Sequence, residues 1–176
     1  MSGAAESARL FFAIWPSAAV VACLFNLAHE LHGTCRGRLM RPETLHLTLA
    51  FLGTTSLERQ AEAVAAAAEV DARPFDFTLD RTGYWRHNHI VWIGADSPEL
   101  TALANRLSDG LRRRSFELDA RPFSAHVTLL RSADCRQPLA SGAAVNWSVR
   151  DFVLVRSEPS LTGSRYSIIG RWPLIG

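Results

Sequence analysis

Leu45-His46-Leu47-Thr48-Leu49-Ala50-Phe51-Leu52-Gly53 alternates aliphatic residues with polar or small ones and ends on a glycine, the pattern of a half-buried β-strand. Its centre, His46-Leu47-Thr48-Leu49, has a second copy, His126-Val127-Thr128-Leu129, 80 residues further on (126 − 46) in the apolar run Ser124 to Arg131. Alternate side chains of a strand share a face, so each copy presents an imidazole and a hydroxyl side by side while the aliphatics pack behind. Two histidines offered in the same way suggest a site in which both take part.

Working outward from the first copy, a strand is expected at about Ala8 to Trp15, followed by a helix that Pro16 opens and that runs toward Gly33. Thr55 with Glu58 resembles a capping box for an alanine-rich helix through Val70. Strands follow at about Phe75 to Gly83 and His89 to Gly94. Ser97-Pro98-Glu99 then opens a helix whose leucines at 100, 103, 107 and 111 form one buried stripe. After the second motif strand, a loop through Gly142 leads to two further strands, about Asn146 to Ser157 and Arg165 to Trp172. Strands and helices without strict βαβ alternation indicate an α+β fold with antiparallel sheets. Arg41-Pro42 and Arg121-Pro122 each precede a motif histidine at the same spacing. The halves therefore read as loose copies of one unit, giving a two-lobed domain with one motif strand per lobe.

A chain of 176 residues can bury a sizeable core, and its length favours one domain, residues 1–176, with two lobes. Composition is that of a globular protein, 48% hydrophobic and 20% charged, and no apolar stretch approaches the roughly 18 residues of a membrane helix. The stretch Met1 to Arg9 has no basic region ahead of an apolar one, so no targeting peptide is expected. Cys23, Cys35 and Cys135 are odd in number and lack CxxC spacing, which speaks against a disulfide framework and a thiolate zinc site; a reducing cytoplasm is the default, and a monomer the expected state. The net charge of +2 does not call for nucleic acid, and the use of arginine for all 19 basic residues is a compositional bias rather than a functional signal.

Two His-x-Thr strands in a chain of this size resemble the 2H phosphoesterase superfamily, and within it the RNA 2′,3′-cyclic phosphodiesterases, historically called 2′-5′ RNA ligases. The resembling residues are Arg9 to Ile14, Leu45 to Gly53, Arg121-Pro122-Phe123 through His126-Val127-Thr128-Leu129 to Arg131, and Tyr166 to Leu174. One departure is Ser124-Ala125, where the family often carries a bulkier or basic residue. The resemblance implies a bilobal α+β fold with two pseudo-symmetric lobes, antiparallel sheets flanked by helices, and the motifs facing each other across a central cleft. It also implies hydrolysis of RNA 2′,3′-cyclic phosphate ends to a 2′-phosphate with no metal or cofactor, His46 giving a proton to the leaving O3′ and His126 taking one from water. An arginine near the phosphate is part of the family pattern, and Arg131 stands at its position, although five residues after His126 strict alternation puts it on the opposite face.

Opening a cyclic phosphodiester needs a base, an acid opposite it, and donors for the non-bridging oxygens; two imidazoles near neutral pH fill the first two roles, and Thr48 and Thr128 are the expected donors. Readings that keep the histidines but change the outcome are 2′-5′ ligation, or hydrolysis of 2′-5′ linked or small cyclic nucleotides. From another class comes a non-catalytic RNA-end-binding module. Elsewhere, His87 and His89 are read as loop surface, His29 and His32 as helix surface, and Arg112-Arg113-Arg114 as solvated helix-end charges. Tyr166 is read as strand packing near the cleft, Phe11, Phe12, Phe51, Trp92 and Phe152 as core, and Trp85 as the best exposed candidate for a nucleobase platform.

Overall fold

The computed structural model describes residues 7–139 and 142–176. Residues 1–6 of the polar N-terminal stretch, and 140 and 141 in the loop before Gly142, lie outside it. In chain order the elements are β1 (Ser7–Ile14), α1 (Ala18–Cys35), β2 (Arg38–Leu39), a 3-10 turn (Pro42–Thr44), β3 (Leu47–Ser56), α2 (Leu57–Ala68), β4 (Phe75–Leu79), β5 (Arg81–Trp85), β6 (Ile90–Gly94), α3 (Pro98–Arg113), β7 (His126–Arg131), β8 (Val145–Val149), β9 (Asp151–Ser160) and β10 (Gly163–Pro173). The fold is α+β with antiparallel sheets, as expected. The main sheet runs β10-β9-β1-β3-β7-β6-β5, with β2 also paired to β7, and a separate ribbon pairs β4 with β8.

Each half repeats strand, helix, motif strand: β1-α1-β3 in the first, β6-α3-β7 in the second, with the motif strand antiparallel to its partner in both. The halves join where β3 meets β7 through the register Leu47↔Val127, the same position of each motif. Helices cross over at this seam. α1 of the first half packs on β7 and β8, and α3 of the second packs on β3. The stripe Val20, Leu24, Ala28, Leu31, Cys35 of α1 and the stripe Leu100, Leu103, Leu107, Leu111 of α3 are buried, together with Leu47 and Val127. Fully burying a leucine side chain contributes on the order of 2 kcal/mol, so these stripes clamp the two motif strands from behind.

Boundaries differ from the sequence reading at points with local causes. Ser17, rather than Pro16, caps α1, its hydroxyl accepting from the Val20 amide at 3.3 Å. Ser56 caps α2 by accepting from Arg59 N at 3.3 Å, while Thr55 stays in β3 and donates to Gly53 O. β3 therefore continues through Gly53, whose positive φ of 71° lies beside a register shift against β1. The expected strand 75–83 is two strands in different sheets, broken at Asp80, and the expected strand 146–157 is likewise broken at Arg150. Pairing partners some 70 residues away decide those breaks, and local alternation does not reveal them.

The cysteine reading is corrected. Cys35 at the end of α1 and Cys135 just beyond β7 form a disulfide across a sequence separation of 100. The packing of α1 on β7 brings them together, and Asp134 N also donates to Cys35 O at 2.8 Å. Cys23 is free and exposed.

Candidate active site

Because β3 and β7 meet antiparallel at Leu47↔Val127, position 46 is set opposite 128 and position 48 opposite 126. The two His–Thr pairs thus form a diagonal square on one face of the sheet. That face is the floor of a cleft of about 340 Å³ whose lining includes His46, Thr48, His126, Thr128 and Arg131. All five residues singled out from the sequence come together.

Both imidazoles are fixed in the same way. His46 Nδ1 lies 2.7 Å from Thr44 O, and His126 Nδ1 lies 2.8 Å from Ser124 O, each two residues back along the chain. A carbonyl only accepts, so Nδ1 carries the hydrogen in both rings, and Nε2 is left as the basic nitrogen of the neutral imidazole. His46 Nε2 is 3.0 Å from Thr48 Oγ1, which donates to it when the ring is neutral. The buried Thr44 is tied in turn by its hydroxyl to Arg41 O at 2.8 Å. Arg41 also donates to Ser164 O at 2.5 Å and Thr162 Oγ1 at 3.3 Å, fastening the β9–β10 hairpin to the His46 side. Arg121, its sequence counterpart, makes an exposed ion pair with Asp119 instead, so the repeated Arg-Pro has one structural role, not two.

Aromatic rings hold the histidines from the sides. Trp15 stacks on His46 at 5.6 Å with 7° between planes, Phe11 lies 4.8 Å away, and Tyr166 meets it edge-on at 5.4 Å. On the other side Trp85 meets His126 edge-on at 4.7 Å and leans on Trp92. The Trp92 indole lies across Gly83 and Gly94, where a Cβ on either glycine would overlap the ring. Burial among these rings is the largest influence on His46 and pushes its pKa down from 6.5 to about 4, helped by the positive charges of His126 and Arg131 and opposed by the Thr44 hydrogen bond. His126 is also pushed below the usual imidazole range, first by burial and then by Arg131. Both rings therefore favour the neutral form at pH 7.

Arg131 reaches the cleft because β7 is bulged. Trp92 pairs with Thr128 and Val91 with Leu130, so Leu129 is the extra residue and the alternation reverses after it. That reversal brings Arg131 onto the face of Thr128. Arg9, at the same cleft, has its guanidinium 5.3 Å from the centre of the Phe51 ring. Neither Arg9 nor Arg131 makes an ion pair with the described residues.

One reading changes: Phe51 is 49% exposed in the cleft rather than core. Tyr166 packs beside the cleft and lines it, and Trp85, half-buried, also braces His126. Period-two alternation of β1 placed Arg9 and Phe11 on one face, which was the available signal for both. His89 is committed to Tyr84 and Ala133 O, each 3.1 Å from Nδ1, while Arg112 and Arg114 are held by carboxylates. Among the described residues no three His, Cys, Asp or Glu side chains converge as metal ligands.

The family described as LigT like Phosphoesterase matches the chain twice, over residues 14–92 and 93–163, one match for each motif histidine. The chain belongs to the LigT-like phosphoesterase family. Among relatives of this LigT-like protein, the RNA 2′,3′-cyclic phosphodiesterase of Escherichia coli (strain K12) is 34% identical over 173 residues, covering 96% of this chain and 98% of that one. The RNA 2′,3′-cyclic phosphodiesterase of Archaeoglobus fulgidus is 31% identical over 169 residues, covering 90% and 96%. The crystal structure of E. coli LigT complexed with 3′-AMP superimposes with a TM-score of 0.89 at 33% identity, covering 97% of this chain and all of that one. No helix among the described residues is long and apolar enough to cross a membrane.

Proposed function

We propose that this LigT-like protein hydrolyses 2′,3′-cyclic phosphate ends of RNA to a 2′-phosphate by acid–base catalysis between His46 and His126, with no metal or cofactor. The carrying observation is the Leu47↔Val127 register, which sets two identically tethered imidazoles diagonally on one cleft floor with their Nε2 atoms unblocked by backbone. His126 Nε2 takes a proton from water as the oxygen attacks phosphorus. The P–O3′ bond breaks, and His46 Nε2–H delivers its proton to O3′. Thr48, Thr128 and Arg131 donate to the non-bridging oxygens, and the charge that builds there is met by fixed dipoles and a cation that makes no ion pair with the described residues.

The acid needs a proton that the depressed pKa of His46 disfavours at pH 7. A bound phosphodiester anion supplies the opposite charge that favours imidazolium, raising the His46 pKa toward neutrality, so substrate loads its own acid. Residues 1–176 act as one bilobal domain, since the cleft takes a catalytic strand from each half. The working state is a monomer in the cytoplasm; the Cys35–Cys135 bond is the feature that pulls against a strongly reducing compartment.

The test is incubation of purified protein, with EDTA present, with a short RNA ending in a 2′,3′-cyclic phosphate, followed by identification of the product end. A 2′-phosphate supports the reading. An unopened ring, a 3′-phosphate, or turnover that EDTA abolishes contradicts it.

A further inference from the structure

Beside the catalytic cleft lies a second cavity of about 670 Å³ that shares Thr48, Phe51 and His126 with it and extends away between α3, the turn after β5 and residues 118–124. Both volumes lie in the range of sites built for small ligands. Two half-buried or exposed aromatic rings, Trp85 and Phe51, face this space, and Leu118, Pro122 and Phe123 add apolar surface. Asn88, Asn105 and Ser108 line it with amide and hydroxyl groups. The two arginines at its rim are answered by their own carboxylates, Arg112 by Asp109 and Arg121 by Asp119. The seat is thus aromatic, amide-bearing and close to neutral. Such a lining selects for a base and its sugar rather than for a phosphate.

We propose that this cavity seats the nucleoside next to the cyclic-phosphate nucleotide of an RNA end, making the protein prefer oligonucleotide ends over cyclic mononucleotides. The proposal rests on the cyclic phosphodiesterase reading above. The first cleft holds the reacting phosphate among His46, His126 and Arg131, and the neighbouring residue of the strand passes Thr48 and Phe51 into the second space. Trp85 offers its indole to that base and also meets His126 in a T-shaped contact, so an occupied second seat also steadies the ring that activates water.

The test compares kcat/KM for adenosine 2′,3′-cyclic phosphate with that for the dinucleotide ApA bearing the same cyclic end, in wild type, Ser108→Trp and Asn105→Trp. Both positions lie on α3 off its buried leucine stripe, so an indole there fills the cavity without entering the core or the cleft. One stacked base predicts a wild-type preference for the dinucleotide of about tenfold. Each tryptophan variant should bring that ratio near one by raising KM for the dinucleotide, with mononucleotide turnover held within about twofold, by the same stacking estimate. A wild-type ratio near one overturns the proposal while leaving the function reading intact. A ratio that survives in both variants does so too. Failure of wild type to open either substrate overturns the function reading, and this proposal with it.

Discussion

Replacing His46 by asparagine should remove an acid-labile component of folding stability. In the folded protein the His46 pKa stands at about 4, against 6.5 for the free side chain. Between those values the unfolded chain holds a proton that the folded chain rejects. The neutral ring costs nothing above pH 6.5, and stability falls as pH drops from 6.5 toward 4, because the denatured state gains from protonation. At pH 4.5 the linkage relation gives a loss of about 2.5 kcal/mol relative to pH 7.5, and the opening of the cleft to water trims this to about 2 kcal/mol. His126, likewise pushed below the usual imidazole range, contributes with the same sign, so the informative quantity is the difference between variant and wild type. Urea unfolding at pH 7.5 and pH 4.5 should show wild type losing about 2 kcal/mol more than His46→Asn over that interval. Parallel losses in the two proteins would refute the claim that aromatic burial depresses this histidine.

Three further outcomes follow from the same geometry. Leu107→Ala, in the fully buried stripe of α3 behind β3, should cost about 2–5 kcal/mol in urea unfolding at neutral pH, and a cost below about 1 kcal/mol would mean that α3 does not clamp the motif strand. Reduction of Cys35–Cys135 with dithiothreitol, or Cys135→Ser, should lower stability by about 2–4 kcal/mol, since the bond closes a loop spanning 100 residues; an unchanged urea midpoint would contradict the pairing. Arg131→Ala should lower kcat/KM on a cyclic-phosphate RNA end by about 10²–10³, and Arg131→Lys, which keeps the charge but not the fork, should recover only part of it. Full recovery by lysine would show that Arg131 acts as a point charge.

The sequence carried the site further than it carried the fold. His46, Thr48, His126 and Thr128 were legible because period-two alternation ties each histidine to its threonine, and because the pattern is present twice. The leucine stripe of α3 was legible for the analogous helical reason. What escaped depends on partners distant in the chain. The bulge at Leu129 that turns Arg131 into the cleft is set by the β6–β7 register, and no local count from His126 finds it. The breaks at Asp80 and Arg150 exist because β4 and β8 leave the main sheet to pair with each other. Phe51 reads as core in any strand pattern, yet the β1–β3 register shift leaves it on the cleft face opposite Phe11. Cys35 and Cys135 meet only because α1 crosses the seam to pack on the other half's motif strand.

The central claim is that the two motif histidines form one acid–base pair rather than two separate sites. It is tested most directly by a double-mutant comparison of kcat/KM on a 2′,3′-cyclic phosphate RNA end for His46→Ala, His126→Ala and the two together. Each single variant is predicted to lose at least about 10³-fold, and the double variant to lose no more than the worse single one, as expected for groups that act as a unit. Substantial activity in either single variant, or losses that multiply in the double, would contradict the account.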